Sequence, residues 1–409
     1  ALGLAVLMTG SPVIFLSVKI LGALIFILTY SLVYGGLGDS YRFYLKGEIL
    51  FDRVLAYPSE FFELLFSSKE NLVAKFSADE FRAIGKSEDF TFTKITMVLM
   101  FFGFKNYFLM TLFSVLTTFY GSWKLFLSLT KRYKKNEKII FIAVFLIPSV
   151  LFWGSTFMKD AFVLGLFNLF VAKIINLQLN RKAIHYISLV FLLLFLSQIK
   201  AYVIISFLPS LILYIFLLIR KKIESQAFKV LFTPIMFVVI TTISGLGMVY
   251  VGELSERYKL EEIEARTKGF HSWHSTLGGS AYDLGEIEYT FTGIVTKAPE
   301  AISITLIRPF PNEVKNSMML IGALESLMFL ILILIYIVIK KGLLKWFKSI
   351  FRDPFLLSSL VFVLVFSFVV GFTSYNYGAL FRYKIPCMSF YFLVIMLPYF
   401  KEKTQVNES

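Results

Sequence analysis

The chain has 409 residues, 57% of them hydrophobic, with 47 Phe and a formal net charge of +14. Soluble domains are nearer half apolar, and here the excess falls in blocks of roughly 20 residues, the length of a helix crossing the hydrocarbon core, which argues against a soluble domain on a simple anchor. The positive charge does not point to nucleic acid. Lys131, Arg132, Lys134 and Lys135, then Arg181 and Lys182, then Arg220, Lys221 and Lys222, then Lys340, Lys341, Lys345 and Lys348 collect in short loops between apolar blocks, the positive-inside pattern.

The first span is expected at 12–34. The chain opens on Ala1 rather than Met, which leaves room for residues before it. Its first apolar block is longer than a signal-peptide core and lacks a small-residue cleavage site. A first outer loop follows at 35–92, with amphipathic stretches around Tyr57, Phe61, Phe62, Leu64, Leu65 and Phe66 that suit interfacial helices. The piece at 93–104 is apolar but short and reads as re-entrant or surface-lying. The second span is placed at 106–129.

Spans three and four, at 139–155 and 161–177, are expected to form a hairpin with Lys159 and Asp160 at its outer tip. Spans five and six, at 186–197 and 202–219, make a second hairpin with Gln198 and Lys200 at the tip. The seventh span, 230–252, leads into a large outer loop at 253–316. Spans eight to ten fall at 317–339, 355–373 and 385–400, the last two flanking an outer turn at 374–384. The expectation is an all-α polytopic protein of about ten spans: one transmembrane domain over 1–400 and a cytoplasmic tail at 401–409. Alternation puts every basic loop inside and both long loops outside. The single Cys387 rules out an internal disulfide.

Ionisable groups at the mouths of apolar spans are costly to desolvate and read first as functional. The outer side gathers Asp39, Tyr41 and Arg42 from the first loop, Lys159 and Asp160 from one tip, and Lys200 from the other. The large loop adds His271, His274, Tyr282, Asp283, Arg308 and Glu313, and the last turn adds Arg382, Tyr383 and Lys384. A carboxylate at the boundary can take a proton from an acceptor hydroxyl. Nearby Arg and Lys can hold a phosphate and stabilise charge on it as a leaving group. Each has a plainer reading: Asp39 after Gly35, Gly36 and Gly38 suits a helix cap, and Lys159 suits a snorkelling anchor. His271 and His274 with Asp283 lack a metal-site frame. Glu325, inside the eighth span, is expected to face protein.

The layout resembles the GT-C superfamily of membrane glycosyltransferases, which use polyprenyl-phosphate sugars. Gly38-Asp39-Ser40-Tyr41 falls where members carry a catalytic acid near the start of the first outer loop. Lys159-Asp160 falls where they carry a second acidic motif. Pro148-Ser149-Val150-Leu151-Phe152-Trp153 looks like the Pro-Ser-x-x-x-Trp stretch of bacterial members. The resemblance implies Asp39 as base, with Asp160 assisting it or binding a divalent metal. It also implies Lys159, Arg308 and Arg382 on the donor phosphate, while Arg42, Lys200, Tyr282 and Lys384 complete the substrate-binding candidates from the outer set. The second motif has one carboxylate where metal-dependent members often have more, so no cofactor is required by the pattern.

The implied partners are a polyprenyl-phosphate sugar donor, a glycan, lipid or protein acceptor, and membrane lipids. The implied setting is a bacterial inner membrane with a periplasmic or extracellular active face. Two alternatives stand beside this reading. An O-antigen-type oligosaccharide polymerase or ligase would rely on outer arginines around undecaprenyl pyrophosphate. A transporter or lipid flippase would carry ionisable groups near the bilayer midplane.

Overall fold

Long runs of Leu, Ile, Phe and Val leave the backbone no water to bond, so N–H and C=O groups close on themselves in helices. The computed structural model describes residues 11–36, 38–85, 87–177, 183–225, 269, 279–288 and 290–406. Among these, helix is the dominant state and the one β-type pairing is the isolated bridge between Ala281 and Asn376. Among the described residues, five helices are long and apolar enough to cross a membrane, or up to seven if each of two bent pairs is one span. The protein is therefore an all-α membrane protein. The seventh expected span, and His271 and His274 beyond it, lie outside the described residues.

The chain divides into two compact units, 1–128 with 150–200, and 129–149 with 201–409. In the first unit, α1 is Pro12–Tyr34, as expected from the sequence, and turns off at Gly35 in the left-handed region (φ 65°). Leu21, Leu24, Leu28 and Leu32 form an exposed stripe along it, the surface a lipid-facing helix presents. The segment expected as the first outer loop is structured: α2 is Gly38–Ala56, α3 Phe61–Phe66, α4 Ala78–Ala83 and α5 Ser87–Gly103. Phe43, Leu50, Phe92, Met97 and Met100 form its core. Helices α2 and α5 approach so closely at Gly47 that an added Cβ would lie 2.2 Å from the Thr96 methyl.

The short apolar piece thus begins earlier than expected, at Ser87, and meets α6, Tyr107–Arg132, at a 112° bend. Helices α6 and α9, Lys159–Leu177, pack through small and polar residues. A Cβ on Gly121 would lie 1.8 Å from the Gly165 carbonyl. Beside it, Asn168 Nδ2 donates to Ser122 Oγ (3.1 Å) and Asn176 Nδ2 to Ser128 Oγ (2.7 Å). Close backbones and interhelical hydrogen bonds replace the hydrophobic drive that hydrocarbon surroundings remove.

Two expected hairpins take different forms. The third span is not one continuous helix but α7, Glu137–Phe141, a π-helical stretch Ile142–Leu146, and α8, Pro148–Trp153. The break falls at Ile147, which is extended (ψ 128°) because a residue before proline is disfavoured in the α region. Spans five and six are two arms of one element, α10, Ala183–Lys222, joined at Lys200 with non-helical backbone (φ −151°, ψ 82°). Its length of about 60 Å is twice one crossing.

The second unit contains α11, Phe291–Thr296, α12, Ala298–Leu306, and α13, Ser317–Leu332, which runs into a π-helical stretch Ile333–Lys341. After these come α14, Leu343–Arg352, α15, Pro354–Ser374, α16, Tyr377–Tyr383, and α17, Ile385–Val406. The expected outer turn therefore holds a helix, α16, bent 71° from α17. Asp353 starts α15: its carboxylate accepts from Phe355 N–H (3.0 Å), Arg132 (3.1 Å) and the Tyr133 hydroxyl (3.1 Å). Helix α17 continues past residue 400 to Val406, into the segment expected as a tail.

Candidate functional site

The first unit brings together the two short motifs that the sequence singled out. Gly38 has φ 56° and lies over the Tyr30 ring, where a Cβ would meet Cε1 at 2.7 Å, so glycine is required for the turn into α2. Asp39 then occupies the first turn of α2 and Asp160 the first turn of α9. A helix N-terminus favours a carboxylate at both places. Ser40 ties the motifs to each other. Its hydroxyl donates to the Phe157 carbonyl (2.7 Å) and accepts from the Tyr107 hydroxyl (2.6 Å).

Around that junction the charges differ in access. Asp39 is half-exposed, its side chain keeping 43%, with Arg42 Nη1 3.4 Å from its Oδ1. Lys159 donates to Asp89, whose other oxygen lies 3.0 Å from Lys46 Nζ, and the three side chains keep 15%, 21% and 19% exposure. Two ammonium groups on one carboxylate leave this cluster net positive. Asp160 is buried and paired with Lys200, also buried. Lys200 thus reaches inward from the junction of the α10 arms rather than standing at an open tip.

The sequence reading missed Lys46 and Asp89. Lys46 lies two turns after Asp39 on α2, a signal that periodicity along α2 could have supplied. It also missed Lys19 in α1, fully buried with Nζ donating to the Gly154 carbonyl (3.0 Å) at the end of α8.

The second unit holds the remaining candidates. Arg308 is engaged by Glu313, with Nε 3.0 and 3.1 Å from its two oxygens, and Glu313 also accepts from Phe310 N–H (2.7 Å). The Glu313 hydrogen bond holds Arg308 above its ordinary range. Burial raises Glu313, but Arg308 and the Phe310 N–H outweigh it and hold the carboxyl low. Tyr377 neighbours both groups electrostatically. Tyr282 is buried, its hydroxyl donating to the Gly371 carbonyl (2.7 Å) and its N–H to the Tyr375 carbonyl (3.2 Å), so it straps a loop to the end of α15. Arg382 Nη2 donates to the Tyr383 hydroxyl (3.2 Å). Lys384 is fully buried: Nζ lies 3.1 Å from Glu325 Oε1, while Glu325 Oε2 accepts from Ser149 N–H (2.6 Å).

A divalent metal would need several free oxygen or nitrogen ligands in one place. Among the described residues no three His, Cys, Asp or Glu side chains gather to supply them. Asp160 and Asp89 are both engaged by ammonium groups, cations standing where a metal would have to be. The described residues do not fit a metal site.

Comparison with protein-family models, with curated proteins and with solved structures finds no match to this chain.

Proposed function

We propose that the chain is a membrane glycosyltransferase of the GT-C type, acting at a membrane surface on a polyprenyl-phosphate sugar. One observation carries the reading. Ser40, next to Asp39, is bonded to Phe157, two residues before Lys159, across 117 positions of sequence. A half-exposed carboxylate and a net-positive, partly exposed lysine pair thereby share one neighbourhood of the first unit.

The reaction that suits this set is an inverting displacement. The acceptor hydroxyl loses its proton to the Asp39 carboxylate as its oxygen bonds the anomeric carbon. The bond from that carbon to the phosphate oxygen breaks, and its electron pair leaves on the polyprenyl phosphate. Lys159 and Lys46 hold that phosphate by exchanging part of their contact with Asp89 for it, and Arg42 is the exposed cation nearest the base along α2. Asp160 and Lys200 do not touch substrate in this scheme. They hold the first turn of α9 in place. No step uses a metal.

The test is transfer of sugar from polyprenyl-phosphate and polyprenyl-pyrophosphate donors by the purified protein in bilayers. Asp39→Asn should cost two to four orders of magnitude in rate, the range for loss of a general base. Full transfer by both Asp39→Asn and Asp160→Asn would sink the proposal. Turnover only with pyrophosphate-linked oligosaccharides would move it to the polymerase or ligase class.

A further inference from the structure

The basic run around 340–352 has no part in the proposed transferase, and α14 gives it a defined shape. This helix has the sequence LLKWFKSIFR. Gly342 alone separates it from the apolar helix ending at Lys341, and Asp353 alone separates it from the one beginning at Pro354. Ten residues between two such helices cannot leave the membrane surface, and the density of Lys and Arg assigns that surface to the cytoplasmic side.

The helical repeat sorts the side chains of α14 into three arcs. Trp346 and Ile350 form the first. Both are buried, and the Trp346 indole N–H donates to the Val394 carbonyl of α17 (3.0 Å), which fixes how the helix is turned. Leu343, Leu344, Phe347 and Phe351 form the second, and all are exposed, Leu344 at 86% and Phe351 at 65%. Lys345, Lys348 and Arg352 form the third. They too are exposed, and among the described residues none of them is in an ion pair.

The order protein-facing, apolar, basic is what a helix lying in the headgroup plane needs. The apolar arc reaches acyl chains, and the basic arc beside it stands at phosphate level. The occupant of these two arcs follows from the connections of α14. The flanking spans already bring the bilayer to them, and three unpaired cations call for anionic rather than zwitterionic headgroups.

We propose that α14 is an in-plane anchor that binds anionic phospholipid headgroups through Lys345, Lys348 and Arg352, with Leu344, Phe347 and Phe351 set among the acyl chains. This binding is independent of the transferase reading and belongs to the membrane side that the basic loops define. Each basic group near an anionic surface contributes roughly a fivefold factor, so the three together supply on the order of a hundredfold, weakened by salt.

The experiment uses the full chain carrying Leu344→Cys labelled with an environment-sensitive fluorophore. The native Cys387 is buried, which leaves the new thiol as the accessible one. In phosphatidylcholine bilayers the probe should be shielded from aqueous iodide. In neutral-detergent micelles, added phosphatidylglycerol should shift its emission with a saturable midpoint. Lys345→Gln, Lys348→Gln and Arg352→Gln together should raise that midpoint several-fold or leave the shift unsaturated at the highest phosphatidylglycerol content, as a roughly hundredfold weakening requires. The charge-keeping set Lys345→Arg, Lys348→Arg and Arg352→Lys should leave it within about twofold, since each charge is retained.

An unchanged midpoint in the triple glutamine variant would overturn the proposal, because the cations would not then be reading the lipid. A probe open to iodide in bilayers would overturn it as well, because the apolar arc would then face water or a soluble partner.

Discussion

Both units contain a carboxylate held by ammonium, and they treat it differently. In the second unit the Glu325–Lys384 pair is sealed, at 1% and 0% exposure, with its other bonds to backbone groups. In the first unit, Lys46, Asp89 and Lys159 keep between 15% and 21%. A sealed pair has no route by which a ligand could replace one partner, and desolvation makes removal of either member expensive. A partly wet pair can exchange a partner for a phosphate at little cost. Burial, not residue type, separates a structural ion pair from one available to substrate. Asp160–Lys200, at 4% and 6%, falls with the sealed pair although it adjoins the wet one in sequence.

The largest effect that tests this contrast is on activity. Asp39→Asn, at the exposed end of the series, should lose transfer by two to four orders of magnitude while the thermal midpoint stays unchanged, read by a donor-transfer assay beside an unfolding curve. A fall in stability of the same variant would assign Asp39 to structure instead.

Next comes stability. Lys384→Met and Lys200→Met should each destabilise by about 3–5 kcal/mol, because each leaves a buried carboxylate without its cation. Lys46→Met should cost less than about 1 kcal/mol by the same measurement. Equal costs at Lys46 and Lys384 would erase the contrast between the units. Pairing each loss with removal of its carboxylate, as in Glu325→Gln with Lys384→Met, should recover much of the deficit.

A smaller effect concerns the backbone contact that positions α9. Gly165→Val places carbon where even a Cβ would lie 2.7 Å from Thr118 Cα, and should cost about 1–3 kcal/mol of unfolding free energy. Lys159 and Asp160 would then shift with the helix start, and activity should fall with stability.

The smallest is a pH effect in the segment between α1 and α5 of the first unit. The Arg53 hydrogen bond holds Glu60 at about 2 against an ordinary 4.5, with burial opposing and Lys75 adding to it. A carboxyl depressed by folding stabilises fully above the unfolded value near 4.5 and loses that contribution as pH falls through about 2. Glu60→Gln should be about 1 kcal/mol less stable than the parent at neutral pH. The gap between their thermal midpoints should close between pH 4.5 and 2. A constant gap across that window would show that the packing of the side chain, not its charge, carries the effect.

Much of the helical layout was legible in the chain itself. The first span matches α1 at both ends, and α9, α13 with its π-helical extension, and α15 fall within a few residues of expectation. The two short motifs stood out because charge beside an apolar block is rare. The break before Pro148 was readable too, from the restriction proline puts on Ile147, yet the apolar run across it masked the signal. Lys200 and Lys384 were read as outer-facing because hydropathy cannot tell a tip from a buried junction.

By itself, then, the sequence determined the membrane setting and most of the long helices. These depend on hydrophobicity and steric rules that act over a few residues or one span. Tertiary structure alone decided that Ser40 meets Phe157, that Asp89 serves Lys46 and Lys159 from 43 and 70 residues away, and that Glu325 receives Lys384. The pairings of the first unit depend on how closely Gly47, Gly121 and Gly165 let helices approach, that of the second on the approach of the Phe381 ring to Gly322, and approach is a property of packed surfaces rather than of any one segment.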